Sequence, residues 1–105
     1  MSFFDRLFGG ATPGAERVDG GRARSLVAEG AALVDVRSPA EFASGHIDGA
    51  VNVPVDRIAT LDGQVAKDKP VVLYCASGMR SARAGALLKN VGYQTVYDLG
   101  SLSRW

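Results

Sequence analysis

Residues 70–92 read PVVLYCASGMRSARAGALLKNVG. The run from Pro70 to Cys75 is continuously apolar and rich in β-branched residues, the pattern of a strand buried on both faces. Beyond it Met79, Ala82, Ala86, Leu87 and Val91 recur at helical spacing, Arg83 and Lys89 lie off that stripe, and Gly92 follows as the stop. Ala76 to Ser81, small and flexible, joins the two. A buried strand that passes through a short loop into a helix is one unit of a parallel α/β fold.

The flanking sequence repeats this alternation. Ala31 to Val36, AALVDV, is a second run suited to a central strand. Weaker strands are expected at Val51 to Val53 and Thr95 to Leu99, with an edge piece at Glu16 to Asp19. Gly20 to Gly30 holds a helix of about two turns, with Leu26 and Val27 on one side. Ser38-Pro39-Ala40-Glu41 has the order of a helix start: hydroxyl cap, Pro at the first position, and a Glu that closes a capping box. That short helix runs to about Ser44 and ends at Gly45. Strands alternating with helices imply a three-layer α/β domain, a mostly parallel sheet covered on both faces. Phe3, Phe4, Leu7 and Phe8 sit at helical spacing before Gly9-Gly10 and Pro13-Gly14. Residues 1–14 therefore read as a short apolar helix and linker, ahead of a domain over residues 15–105.

Composition narrows the function classes. The 105 residues suffice for one compact domain, and 47% hydrophobic against 22% charged residues suits a single core. Twelve Lys and Arg against eleven acids leave a net charge of +1, with no overall field to hold nucleic acid or an anionic membrane. The apolar runs are far shorter than the ~18 to 20 residues of a membrane span. Met1 to Gly10 lacks the layout of a secretory signal, so a cytoplasmic location is expected. Cys75 is the only cysteine and His46 the only histidine. An internal disulfide, a CxxC redox pair and a multi-cysteine metal site are thereby excluded, and neither metal nor cofactor is expected.

In a parallel α/β sheet, reactive groups gather beyond the carboxyl ends of the strands, and Cys75 ends the strongest one. The loop after it can turn its N–H groups toward the sulfur at the positive end of the following helix. With Arg80 nearby, the thiol is expected to ionise below its free value of ~8.5 and act as a thiolate nucleophile. Val71 to Tyr97 contains Arg80, Arg83 and Lys89 and no acid, so a positive local field is expected to draw an anionic substrate. The plain alternative is a cysteine serving as a small apolar core residue. Such a residue has no need of the Ser77-Gly78-Arg80 loop that follows. His46, in a Gly-His-Ile turn, reads as structural, and Glu41 as the reciprocal cap.

Leu33-Val34-Asp35-Val36-Arg37, Glu41-Phe42, Gly45-His46-Ile47-Asp48-Gly49-Ala50, Asn52-Val53-Pro54, the loop from Tyr74 to Ser81 and the ending Gly100 to Trp105 together resemble a single-domain rhodanese, of the thiosulfate sulfurtransferase family. The resemblance spans about residues 15–105. It implies a five-stranded parallel sheet with helices on both faces, and a cysteine that takes a sulfane sulfur from a donor and passes it, as a persulfide, to a thiophilic acceptor. By that resemblance Cys75 is the nucleophile, Ala76, Ser77, Gly78, Met79 and Ser81 form the cradle, and Arg80 helps to hold an anionic donor. Arg37 lies near the pocket mouth, and Asp35 ties the sheet to the active-site loop. The implied partners are a small anionic sulfur donor and a thiol or protein-thiol acceptor, served by a monomer or weak dimer. Ala76 departs from the basic or larger polar residue of many members, which bears on how tightly thiosulfate binds. Gly100-Ser101 replaces paired glycines.

Two rivals are distinguishable. Cysteine phosphatases use a similar loop with one more residue between Cys and Arg, whereas here Arg80 stands five positions after Cys75 and Ser81 follows. A partner-dependent persulfide carrier, or a non-catalytic binding module of the same fold, differs from a free enzyme in needing a partner for turnover.

Overall fold

The computed structural model describes residues 14–105. The elements are β1 (Glu16–Arg17), α1 (Gly20–Ala28), β2 (Ala32–Asp35), α2 (Pro39–Ala43), β3 (Val51–Asn52), a 3-10 stretch (Val55–Gly63), β4 (Val71–Cys75), α3 (Met79–Asn90), β5 (Val96–Ser101) and a closing 3-10 turn (Leu102–Arg104). The short helix expected over residues 2–8 lies outside the described residues.

Among the described residues the five strands form one sheet in the order β1-β5-β4-β2-β3, with every pairing parallel. Every residue of β4 is fully buried. Alternation along the strand divides its side chains between the two faces. Val71, Leu73 and Cys75 join Ala84 and Leu88 of α3 and Ile58 and Leu61 of the 3-10 stretch. Val72 and Tyr74 join Ala23 and Leu26 of α1, with Leu99 and Trp105. Helical elements thus cover both faces, and each buried Val or Leu contributes roughly 1.5–3 kcal/mol to holding the layers together.

The capping box forms as its spacing predicts: Ser38 Oγ accepts from the Glu41 N–H at 3.2 Å, and Glu41 Oε1 accepts from the Ser38 N–H at 3.0 Å. The 3-10 stretch was not expected. Its buried residues, Val55, Ile58 and Leu61, recur every third position, a period of 3.0 that a search at 3.6 passes over. β5 runs two residues beyond the expected Leu99, and its register against β4 slips by one residue between Leu73 and Tyr74. Leu73 lies opposite Asp98, but Tyr74 lies opposite Gly100. The extra residue on β5 is a bulge.

After β5 the chain turns back to the start of α1. The Trp105 carbonyl accepts from Arg24, and a Cβ on Gly20 would run into the Arg104 carbonyl oxygen. Only glycine at position 20 leaves room for this return.

Candidate active site

Cys75 is the last residue of β4, and its sulfur lies under the loop that enters α3. Two backbone donors point at it: the Gly78 N–H at 3.0 Å and the Ser81 N–H at 3.3 Å. Gly78 is the N-cap of α3 and offers no side chain for capping. The sulfur takes the place that an Asp or Ser oxygen fills at other helix starts, accepting from the cap residue and from the third helical residue. Gly78 has φ +104, a conformation that L side chains rarely adopt, and this turn aims its N–H inward.

Ser81 adds its side chain. The Cys75 thiol donates to Ser81 Oγ at 3.6 Å, while the Ser81 hydroxyl donates to the Gly78 carbonyl at 3.2 Å. When the thiol loses its proton, that hydroxyl can rotate to donate to the sulfur. Burial pushes the Cys75 thiol up. The Ser81 hydroxyl and the N–H groups of Ser81, Gly78 and Ser77 outweigh it, and the net displacement is downward. Cys75 itself has no exposed surface, Ala76 and Ser77 are exposed, and Met79 is 80% exposed at the end of the loop.

Arg80 pairs with Glu41, in two hydrogen bonds of 2.7 and 3.0 Å. The Arg80 guanidinium, together with the Ser38 backbone N–H, holds the Glu41 carboxyl down to about 2. This corrects the positive field expected from Val71 to Tyr97. Carboxylates from elsewhere in the chain meet two of its three cations, Glu41 at Arg80 and Asp56 at Arg83, 3.7 Å away. The third, Lys89, donates to the Gln94 carbonyl.

Arg37 is buried. It contacts both oxygens of Asp35, the shortest contact being 2.6 Å, and donates to the Gly45 carbonyl at 2.8 Å. Asp35 is fully buried and also accepts from the Arg37 backbone N–H at 2.9 Å. The pair therefore joins the end of β2 to the turn after α2, and Arg37 also lies over the ring of Tyr74, the residue before Cys75. His46 is exposed and stacks on Phe42 with ring centroids 3.7 Å apart, its Nδ1 donating to the Phe42 carbonyl at 2.9 Å.

Tyr74 and Asn52 complete the surroundings, though sequence reasoning gave neither a role. The Tyr74 hydroxyl accepts from the Ile47 N–H at 3.1 Å, and the Arg37 guanidinium sits 5.7 Å from its ring centre. Burial drives its phenol up to about 12. Asn52 Nδ2 donates to the carbonyls of Asp35 and Arg37 at 3.0 and 2.9 Å. A tyrosine within a wholly buried strand needs a partner for its hydroxyl. That was the available signal.

Among the described residues no cluster of three or more His, Cys, Asp or Glu is placed to hold a metal ion, and no helix is long and apolar enough to cross a membrane. The arrangement as a whole supports one chemistry, a nucleophilic sulfur whose negative charge is met by fixed N–H groups.

Known proteins share this frame. The rhodanese-like domain model matches residues 20–105. The Bacillus subtilis protein YqhL is 42% identical over 76 residues, 71% of this chain and 60% of that protein, so the match spans less than two thirds of YqhL. The thiosulfate sulfurtransferase GlpE of Shewanella oneidensis is 39% identical over 74 residues, covering 70% of this chain and 73% of the relative. The solved structure of the human single-domain sulfurtransferase TSTD1 is similar with a TM-score of 0.73 at 30% identity, over 88% of this chain and 93% of that one. With its five-stranded parallel sheet, helices on both faces and this extent of matching sequence, the chain belongs to the rhodanese-like domain family.

Proposed function

We propose that this protein is a sulfurtransferase of the rhodanese type, moving a sulfane sulfur from an anionic donor such as thiosulfate to a thiophilic acceptor through a persulfide on Cys75. The observation that carries the reading is the pair of N–H groups, from Gly78 and Ser81, directed at a single sulfur. In the first half-reaction the Cys75 thiolate attacks the outer sulfur of thiosulfate. A Cys75–S bond forms, the donor's S–S bond breaks, and sulfite leaves with its electron pair. The persulfide then carries the negative charge, and the loop from Ala76 to Ser81 solvates it with N–H groups in place of water. In the second half-reaction cyanide or a thiolate takes the outer sulfur, and the Cys75 thiolate returns.

Arg80 is assigned to the donor's anionic end and Arg37 to the support of the pocket wall. Phosphatase chemistry is disfavoured, because the loop is one residue shorter between Cys75 and Arg80. A single free thiol suits a reducing, cytoplasmic setting. Met79, exposed beside the loop, favours a second reading in which the acceptor or donor is a protein thiol that docks there.

Intact mass after incubation with thiosulfate tests the proposal. A gain of one sulfur on the wild type, absent from Cys75→Ser and released by cyanide as thiocyanate, is the expected result. Sulfur transfer retained by Cys75→Ser would sink the assignment. Loading that occurs only from a persulfidated protein would select the docking reading.

A further inference from the structure

The two arginines assigned to the site each carry a carboxylate partner. Arg37 is buried against Asp35, and Arg80 is forked against Glu41. Glu41 is also held in place, because Oε1 accepts from the Ser38 N–H while its own N–H is bound by Ser38 Oγ. The capping box of α2 thus fixes a negative charge beside Arg80, a cation that feels the charge of the thiol. An ion pair with both side chains more than a third exposed contributes little to folding. Its larger effect is on the local field.

A small dianion approaching Cys75 meets this fixed carboxylate. Either it displaces Glu41 from Arg80, against the hold of the cap, or it binds to the N–H cradle alone. A donor whose carrier group is uncharged meets less opposition. We propose that Glu41 is a specificity-determining residue, which neutralises Arg80 and disfavours dianionic donors such as thiosulfate relative to persulfides R–S–SH with an uncharged R group. The proposal rests on the sulfurtransferase reading above. With such a donor the Cys75 thiolate attacks the outer sulfur, a Cys75–S bond forms and the donor's S–S bond breaks. RS⁻ leaves with the electron pair, and the outer sulfur keeps its proton.

Glu41→Gln is the informative variant, since glutamine also serves in a capping box and the helix start is kept. Steady-state rates with thiosulfate and with the persulfide of 2-mercaptoethanol are compared in the full chain. The ratio of their kcat/KM values should rise about tenfold toward thiosulfate in Glu41→Gln, through KM, and the gain should shrink at high salt. Ser38→Ala, which weakens the cap and keeps the charge, should shift that ratio less than about twofold. An unchanged ratio in Glu41→Gln, or an equal change in Ser38→Ala, overturns the proposal. Calorimetric binding of thiosulfate to Cys75→Ser, with and without Glu41→Gln, separates the two readings. About tenfold tighter binding, with no donor able to load the wild type, supports the role of Glu41 and rejects the sulfurtransferase reading. Equal binding rejects the role of Glu41 whatever the loading shows.

Discussion

Ser81 approaches the Cys75 sulfur twice, with its backbone N–H at 3.3 Å and its hydroxyl at 3.6 Å. The backbone donor is fixed by α3, and the hydroxyl can be removed by mutation. Ser81→Ala deletes one donor to the thiolate, so the Cys75 pKa should rise from its lowered position. A hydrogen bond to a charged group is worth about 1.5 kcal/mol, close to one pKa unit. Sulfur loading near neutral pH should therefore slow by roughly three- to tenfold and recover at alkaline pH. The ultraviolet absorbance of the thiolate, followed against pH, checks the shift. A profile identical to the wild type would show that the backbone N–H groups suffice.

Because the sulfur caps α3, Cys75 should also matter to stability. Cys75→Ala leaves the Gly78 and Ser81 N–H groups without their partner, whereas Cys75→Ser keeps an acceptor. Losing a cap costs about 1–2 kcal/mol. The alanine variant should unfold at lower urea than the serine variant. Ionisation acts in the same direction. A thiol whose pKa is lowered by folding adds stability above its unfolded pKa and loses it as pH falls through the folded value. The difference between wild type and Cys75→Ala should therefore widen from mildly acidic to alkaline pH.

Asp35→Asn tests the buried pair. Its partner Arg37 is almost fully buried, so removing the negative charge leaves an uncompensated cation inside the fold. Breaking such a pair costs about 3–5 kcal/mol. Urea denaturation should show a loss in this range, and a loss below about 1 kcal/mol would mean that water reaches the guanidinium.

Access to the thiol should discriminate by size. Cys75 has no exposed surface, so a reagent must part the loop over it. Methyl methanethiosulfonate should label the native protein faster than a bulky aromatic disulfide, by a larger factor than it labels free cysteine. Equal factors would show that the loop opens widely before either reagent reacts.

The parts legible in the sequence were those with local causes. β4 and α3 were marked by a buried run and a 3.6-residue stripe, and Ser38 and Glu41 formed their box because the motif lies within one turn. Cys75 was placed by the rule that strand ends carry the chemistry. What escaped notice depended on distant neighbours. Glu41 and Arg80 are 39 positions apart, so a count of charges along Val71 to Tyr97 saw the cation without its partner. The slip that leaves Leu99 without a partner is a property of two paired strands. Its one local sign was Gly100, whose φ of +89 suits a bulge.

Gly20 opens α1 and Arg104 closes the last turn, yet the two backbones touch. The closing turn is thereby clasped to the first turn of α1. A methyl group at position 20 would pry that clasp open, so the far edge of the sheet, not the Cys75 loop, should be the part that such a change loosens.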